Sequence, residues 1–491
     1  MDPAFPSRSS RRLVHGTAAV LAAEALALPT GLITAGVLTR ALGPADYGRL
    51  TLAATIVAWV QWTLTSALSR PAIRFVSRAA RPEEVASAIL GIYTAFGLAG
   101  LASMLVLAGP VARAMEEASL VLYIRLFAID VVVFALAQAH RSVLIGLGRF
   151  YERAWTSAGR WLARLALIVI LIQLGFGVVG AIWGSIGASV VELIIGRWCV
   201  RPRFSLRARI PGGFWVDYAL PVSLAAISLR LFEKVDIVLL KSLGGTAAAA
   251  GMYGAAQNLA GVPGLFALSF SPLVLSALGR AFHEGGPEAA RHSARFAIRV
   301  AVLMSPFVAG AAACADEIVL FVFGSGFEPA GPTLRLLLGG ALALMIVSVT
   351  TAVLLAFEQP SRAAALTVPL VPVAVAAHVM VIPTYGTMGA ATVTTVTALS
   401  AALASLATVQ LGWSLLPGGG TWLRAGLVSA AVALLARLIP VDGPAVLGKL
   451  GALSAAVPAL YLVLGELSVR EVASLLKRAG SESGPPRVEG P

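Results

Sequence analysis

The sequence predicts an all-α, polytopic membrane protein of about 14 transmembrane helices. They are expected as two six-helix lobes in a parallel pseudo-repeat, plus two extra C-terminal helices. Three observations carry this. Hydrophobic residues make up 58% of the 491 and charged residues 12%, with a mean hydropathy of +0.87, far from a soluble composition. Apolar stretches recur from Thr17 to Gly465, each close to the roughly 20 residues that cross a hydrocarbon core as a helix. Arginines crowd into every second gap between them.

Hydropathy windows place the first seven spans near 17–39, 50–73, 86–108, 119–140, 155–174, 178–198 and 216–240. The other seven lie near 248–276, 294–314, 333–356, 363–383, 387–411, 422–439 and 445–465. Thr17 to Thr39 is too long for a signal-peptide core and reads as a retained first helix. No gap is long enough for a separate soluble domain. After the last span, Ser468 to Glu471 has capping-box spacing and opens a short interfacial helix; Gly480 to Pro491 is polar and Pro/Gly-rich, so it is expected to be disordered.

Basic residues set the orientation. The arm carries Arg8, Arg11 and Arg12, and alternate gaps carry Arg70, Arg74, Arg78 and Arg81, then Arg141, Arg149 and Arg153. Arg201, Arg203, Arg207 and Arg209 follow, then Arg280, Arg291 and Arg295. Roughly 27 of the 37 basic residues fall on that side, which the positive-inside rule makes cytoplasmic. An even number of spans puts both termini there. The formal charge of +13 reads as topology and attraction to anionic headgroups. It does not indicate a nucleic-acid partner, because no soluble module gathers the charge.

A faint internal repeat organises the chain. Leu38 to Gly48 reads LTRALGPADYG and Leu239 to Gly254 reads LLKSLGGTAAAAGMYG, about 201 residues apart. Leu144 to Arg149 and Leu354 to Gln359 echo one another at an offset of 210. Two parallel bundles of six helices produce such a pattern. The expected units are an N-terminal lobe (1–212), a C-terminal lobe (213–412), two further spans (413–465) and a cytoplasmic tail (466–491).

These same segments carry a resemblance. LTRALGPADYGRL, then SALSRPAIRFVSRA at the end of the second span, resembles Wzx-type polysaccharide flippases of the multidrug/oligosaccharidyl-lipid/polysaccharide exporter superfamily. So do Lys234-Val235-Asp236, Gly251-Met252-Tyr253 and the loop Phe323 to Ala330. The likeness covers roughly residues 12–412. It implies a two-lobed bundle with a central polar cavity, moving an undecaprenyl-diphosphate-linked glycan outward by alternating access. It also implies a place beside polysaccharide-assembly proteins.

Charges within spans are the chemical signal, because each costs about 2.5–3.5 kcal/mol at the bilayer centre. Arg230, Glu233, Lys234 and Asp236 crowd the seventh span; at 100° per residue the first three share a face, with Asp236 some 60° beyond Glu233. Two readings stand open: an electroneutral structural cluster, or a cavity wall that couples transport to H+ or Na+. By the resemblance, Asp236 is the matched position. Glu24, in the first span, is expected to pair with a basic group of the opposite lobe. Asp130 is expected to pair with Arg125, and Glu192 to reach headgroup water.

Arg70 and Arg74 lie one turn apart on one face. Either they snorkel to headgroups, or their planar forks grip a diphosphate; by the resemblance Arg74 is the preferred contact. Gln257 and Asn258, with Gln61 between Trp59 and Trp62, are candidate glycan contacts, or packing and interhelical bonds. Gly261, Pro263 and Gly264 are the candidate hinge.

Cys199 and Cys314 read as packing residues, with neither a disulfide nor a metal site expected, and His378 as a hydrogen-bonded core residue. There is no phosphate-binding loop, metalloprotease pair or nucleophile elbow. The chain is therefore not expected to be an enzyme, and no cofactor is expected. Three functions remain: lipid-linked oligosaccharide flippase, cation-coupled exporter of drugs or metabolites, and, against the shortness of the outer gaps, a membrane-embedded glycan polymerase or transferase.

Overall fold

A computed structural model describes residues 16, 19–20, 22–203 and 220–466. The arm arginines, Arg207, Arg209 and the tail from 467, with its expected interfacial helix, lie outside the described residues. The helices in chain order are α1 (Ala27–Arg78), α2 (Pro82–Ala114), α3 (Ser119–Gly146), α4 (Phe150–Gln173) and α5 (Gly177–Cys199). Then come α6 (Leu220–Ser242), α7 (Ala247–Ala260), α8 (Val262–Leu303), α9 (Ser305–Ala313) and α10 (Ala315–Phe323). The last are α11 (Ala330–Ala356), α12 (Pro360–Thr367), α13 (Leu370–Trp413), α14 (Gly419–Leu438) and α15 (Ala445–Val463). No strand is present among the described residues, as an all-α chain requires.

Among the described residues, ten helical runs are long and apolar enough to cross a membrane. Two of them, 22–78 and 361–413, have 57 and 53 residues, about twice the span length. The first breaks at Gly43, where φ is 70°, a left-handed conformation that glycine adopts without a Cβ clash. Pro44 follows, and a proline at the start of a helix costs no hydrogen bond. Gly386 (φ 54°) breaks α13 in the same way. The two double runs, the eight single ones, α6 and the α7–α8 junction occupy the fourteen span positions. The protein is a multi-pass membrane protein.

Helices α1 to α5 pack on one another, chiefly α4 on α5, α2 on α3, and α3 on α1 and α5. A second set forms where α11 meets α13, α8 and α7, and α13 meets α6. α14 and α15 lean on α9. The join between the two sets is α1 against α7 and α6. A Cβ added to Gly48 would strike the Ala247 carbonyl oxygen, and one added to Gly251 would strike that of Pro44. α1 and α7 therefore cross backbone to backbone, the contact that small residues permit between membrane helices. The two segments of the internal repeat thus meet each other at this crossing.

Candidate functional site

The first five helices enclose a chain of ion pairs. On α4, Arg153, Ser157, Arg160 and Arg164 recur at intervals of four, three and four, so they share one helical face. Arg153 Nη2 lies 2.6 Å from Glu24 Oε1, and Ser157 donates to the same oxygen at 2.8 Å. Arg153 also reaches Ser157. Glu24 thus pairs within the first helical set, which corrects the expected partner in the opposite lobe: Arg153, assigned to a loop by sequence, stands inside α4 and faces it.

Glu192 corrects a second expectation. Its carboxylate is buried, 1% exposed, and receives Arg160 Nη1 at 3.1 Å on one oxygen and Arg141 on the other. Two guanidiniums reach it from α3 and α4 before any headgroup can. Asp130 corrects a third: Gln61 Nε2 donates to its Oδ2 at 2.9 Å, and its buried Oδ1 has no hydrogen-bond partner among the described residues. Arg125, five residues away, stands more than one helical turn along α3.

A second network surrounds Asp236 on α6, which is fully buried. Its Oδ2 accepts from Tyr253 at 2.6 Å and Thr394 at 3.0 Å; its Oδ1 accepts from Gln257 at 2.7 Å and the Ile237 amide at 2.8 Å. Gln257 in turn accepts from Lys234 at 2.7 Å, linking ammonium to carboxylate through one amide. His378 Nε2 stands 3.5 Å from Thr394 Oγ1. Arg230 and Glu233 pair at 2.9 Å and stay half-exposed, with the Arg230 guanidinium 5.6 Å from the centre of the Trp62 ring on α1. The four charges therefore separate into a sealed part at Asp236 and an open part at Arg230 and Glu233.

At the α1–α7 crossing, Asn258 Nδ2 donates to the Tyr47 hydroxyl at 2.9 Å. Arg70 and Arg74 are exposed near the end of α1. Gly261 separates α7 from α8, with Pro263 in the first turn of α8, so the candidate hinge falls at a helix junction. Beside it lies a cavity of about 790 Å³ lined by α1, α7, α8, α9, α10, α11 and α15. Its wall is apolar except for Ser454 and Arg40, its one charged residue. Arg40 Nη2 donates to the Phe321 carbonyl at 2.5 Å, and Tyr47 meets Phe327 edge-on with ring centres 5.7 Å apart. The LTRALGPADYG segment and the Phe323–Ala330 loop are thus in contact.

Residues 13–275, more than half of the chain, match the family described as polysaccharide biosynthesis protein. The chain belongs to that family. Among solved structures, the lipid II flippase MurJ in an inward closed conformation is 13% identical, covering 94% of this chain and 100% of its own, with a TM-score of 0.72. An inward-facing multidrug resistance MATE family transporter of the MOP superfamily is 19% identical, covering 83% and 95%, with a TM-score of 0.68. A MOP superfamily transporter from Pyrococcus furiosus is 18% identical over 86% and 96%, with a TM-score of 0.58. No curated protein sequence matches. At these identities the likeness gives this chain the MOP superfamily fold and nothing finer.

Sequence reasoning missed Arg160 and Arg164, which stand inside the fifth apolar span. Their signal was available: GRWLARLAL places two arginines four residues apart mid-span, where one is already costly. Tyr253 entered only as part of the Gly251-Met252-Tyr253 resemblance, with no role, and Thr394 left no signal, since threonine is not unusual in a membrane helix.

Proposed function

We propose that this protein flips an undecaprenyl-diphosphate-linked oligosaccharide from the cytoplasmic to the outer leaflet of a bacterial inner membrane. One observation carries the reading: the 790 Å³ apolar cavity with a single charged wall residue. A cargo with a long hydrocarbon tail fills such a space, whereas a water-soluble metabolite gains nothing from it. The polar interior of α1, α3, α4 and α5 then serves the diphosphate and sugars, and the lobes (1–212 and 213–412) rock about the α1–α7 crossing.

The arginine-rich ends face the cytoplasm by the positive-inside rule, so Arg70 and Arg74 meet the diphosphate first. Gln257 and Asn258 adjoin the path of the glycan, and the Asp236 network is the candidate for H+ or Na+ coupling. Changing Arg74 to Gln abolishes glycan export while the protein still inserts; export at the normal level removes Arg74 from the path.

The unpartnered oxygen of Asp130 favours a second reading, a cation-coupled exporter. A deletion strain separates the two. Lipid-linked glycan accumulating on the cytoplasmic leaflet supports the flippase, and unchanged surface polysaccharide with lost dye efflux supports the exporter.

A further inference from the structure

The α4–α5 hairpin turns one face to the protein and the other to the membrane. Arg153 and Arg160 pair inward with Glu24 and Glu192. Trp155 and Leu162 stand about 200° round α4 from those two arginines, at about 100° per residue, and both are exposed. On α5 the outward row is Ile194 and Trp198, one turn apart and also exposed. Contacts across the seam fix the register of the two helices: a Cβ on Gly159 would meet Ile195, one on Gly184 would meet Ile168, and one on Gly187 would meet Leu167. Trp155 therefore stands opposite Trp198. At 70% and 75% exposure these are the two most exposed tryptophans among the described residues, and both lie near the same end of the hairpin.

That end is basic. Arg149 Nη1 donates to the Cys199 carbonyl at 2.7 Å and its Nε pairs with Glu152 at 2.9 Å. Arg197 Nη1 donates to the Pro202 carbonyl at 2.7 Å. These bonds fix the chain just beyond α5, where Arg201 and Arg203 are exposed and form no ion pair among the described residues. Four arginines thus stand here against one carboxylate, Glu152, which Arg149 already holds. The opposite end of the hairpin, 173–177, has no charged residue. Indole rings settle at the level of lipid headgroups, basic pockets between membrane helices hold anionic headgroups, and guanidiniums match phosphate oxygens. We infer that this end of the α4–α5 hairpin binds one anionic phospholipid. Its phosphate sits among Arg197, Arg201 and Arg203, and its acyl chains run between the outward rows past Trp155 and Trp198. A zwitterionic headgroup brings an ammonium that the same arginines repel, with no free acid to receive it. The site lies on the outside of the first helical set, away from the polar interior, so it does not rest on the flippase reading.

The test uses the purified full-length protein and native mass spectrometry with phosphatidylglycerol and phosphatidylethanolamine of identical acyl chains. Wild type is expected to bind phosphatidylglycerol at least about tenfold more tightly. R201Q/R203Q is expected to lose about tenfold or more of that affinity, while phosphatidylethanolamine binding stays within about twofold. W155A/W198A is expected to weaken both lipids by about fivefold and keep the ratio between them. R78Q/R81Q takes the same charge from the corner between α1 and α2 and is expected to bind as wild type does. Equal binding of the two lipids by wild type overturns the inference, as does phosphatidylglycerol binding by R201Q/R203Q within about twofold of wild type. An equal loss in R78Q/R81Q reduces the effect to net charge and overturns it too. So does displacement of phosphatidylglycerol by equimolar undecaprenyl diphosphate, which makes this surface an entry point for cargo. Unchanged binding by W155A/W198A overturns the seat between the tryptophans; if that variant fails to fold, R201Q/R203Q decides alone, since it breaks no hydrogen bond among the described residues.

Discussion

Glu192 holds two guanidiniums on a carboxylate that is 1% exposed. Changing it to Gln leaves Arg141 and Arg160 buried without a counter-charge, and breaking a buried ion pair from one side costs about 3–5 kcal/mol. Glu192→Gln is therefore expected to lower the thermal midpoint in detergent strongly, and an unchanged midpoint would show the pair to be dispensable. The presence of acids at 24, 130, 192 and 236 was legible from sequence, because a charge inside an apolar span stands out. Their partners were not. Arg153 sits beside Arg149 in a basic run that reads as a loop, yet α4 begins at Phe150 and takes Arg153 inside. Lys234 and Asp236 are joined through Gln257 of another helix, a pairing that only the fold creates.

At the scale of helices, the α1–α7 crossing is the tightest contact between the two sets. The glycine pair at 48 and 251 leaves no room for a methyl group on either side. Replacing Gly48 with Val forces the helices apart, and core overpacking costs about 1–3 kcal/mol. Glycan export is expected to fall at least about tenfold with Gly48→Val, since about 1.4 kcal/mol already corresponds to a factor of ten; normal export would free the crossing of any closing role. Span positions were legible because hydrocarbon thickness fixes helix length. Whether the two helices on either side of Leu42-Gly43-Pro44 are joined by a loop or follow on directly was not, since that tripeptide fits either. The backbone at Gly43 resolves it, with the helix resuming at once on Pro44.

For the molecule as a whole, the question is how α14 and α15 are attached, and the answer is charge at both ends. Lys449 on α15 places Nζ 2.7 Å from both oxygens of Glu317 on α10, with the ammonium side chain only 5% exposed. At the other end Glu466, just beyond α15, accepts from Arg299 at 2.8 Å, Arg424 at 2.9 Å and Thr421 at 2.9 Å. These clamps tie the last two helices to α8 and α10, so they travel with that wall of the apolar cavity. None of this was legible, because Glu317 and Lys449 are 132 residues apart and each reads alone as an ordinary helix-end charge. The clamp at Glu466 carries a pH signature. Burial pushes its carboxyl up, but hydrogen bonds from Arg424, Arg299 and Thr421 and the Arg299 charge outweigh it and hold the carboxyl below its ordinary value of 4.5. A carboxyl depressed on folding adds stability that is full above its unfolded value and is lost as pH falls through the folded one. Between pH 7 and pH 5 the attachment of α14 and α15 is therefore expected to hold, and to loosen only as the pH falls below the ordinary 4.5. Glu466→Gln removes that dependence and lowers stability at pH 7. Thermal unfolding of both proteins across this range checks the prediction, and equal pH slopes for the two would sink it.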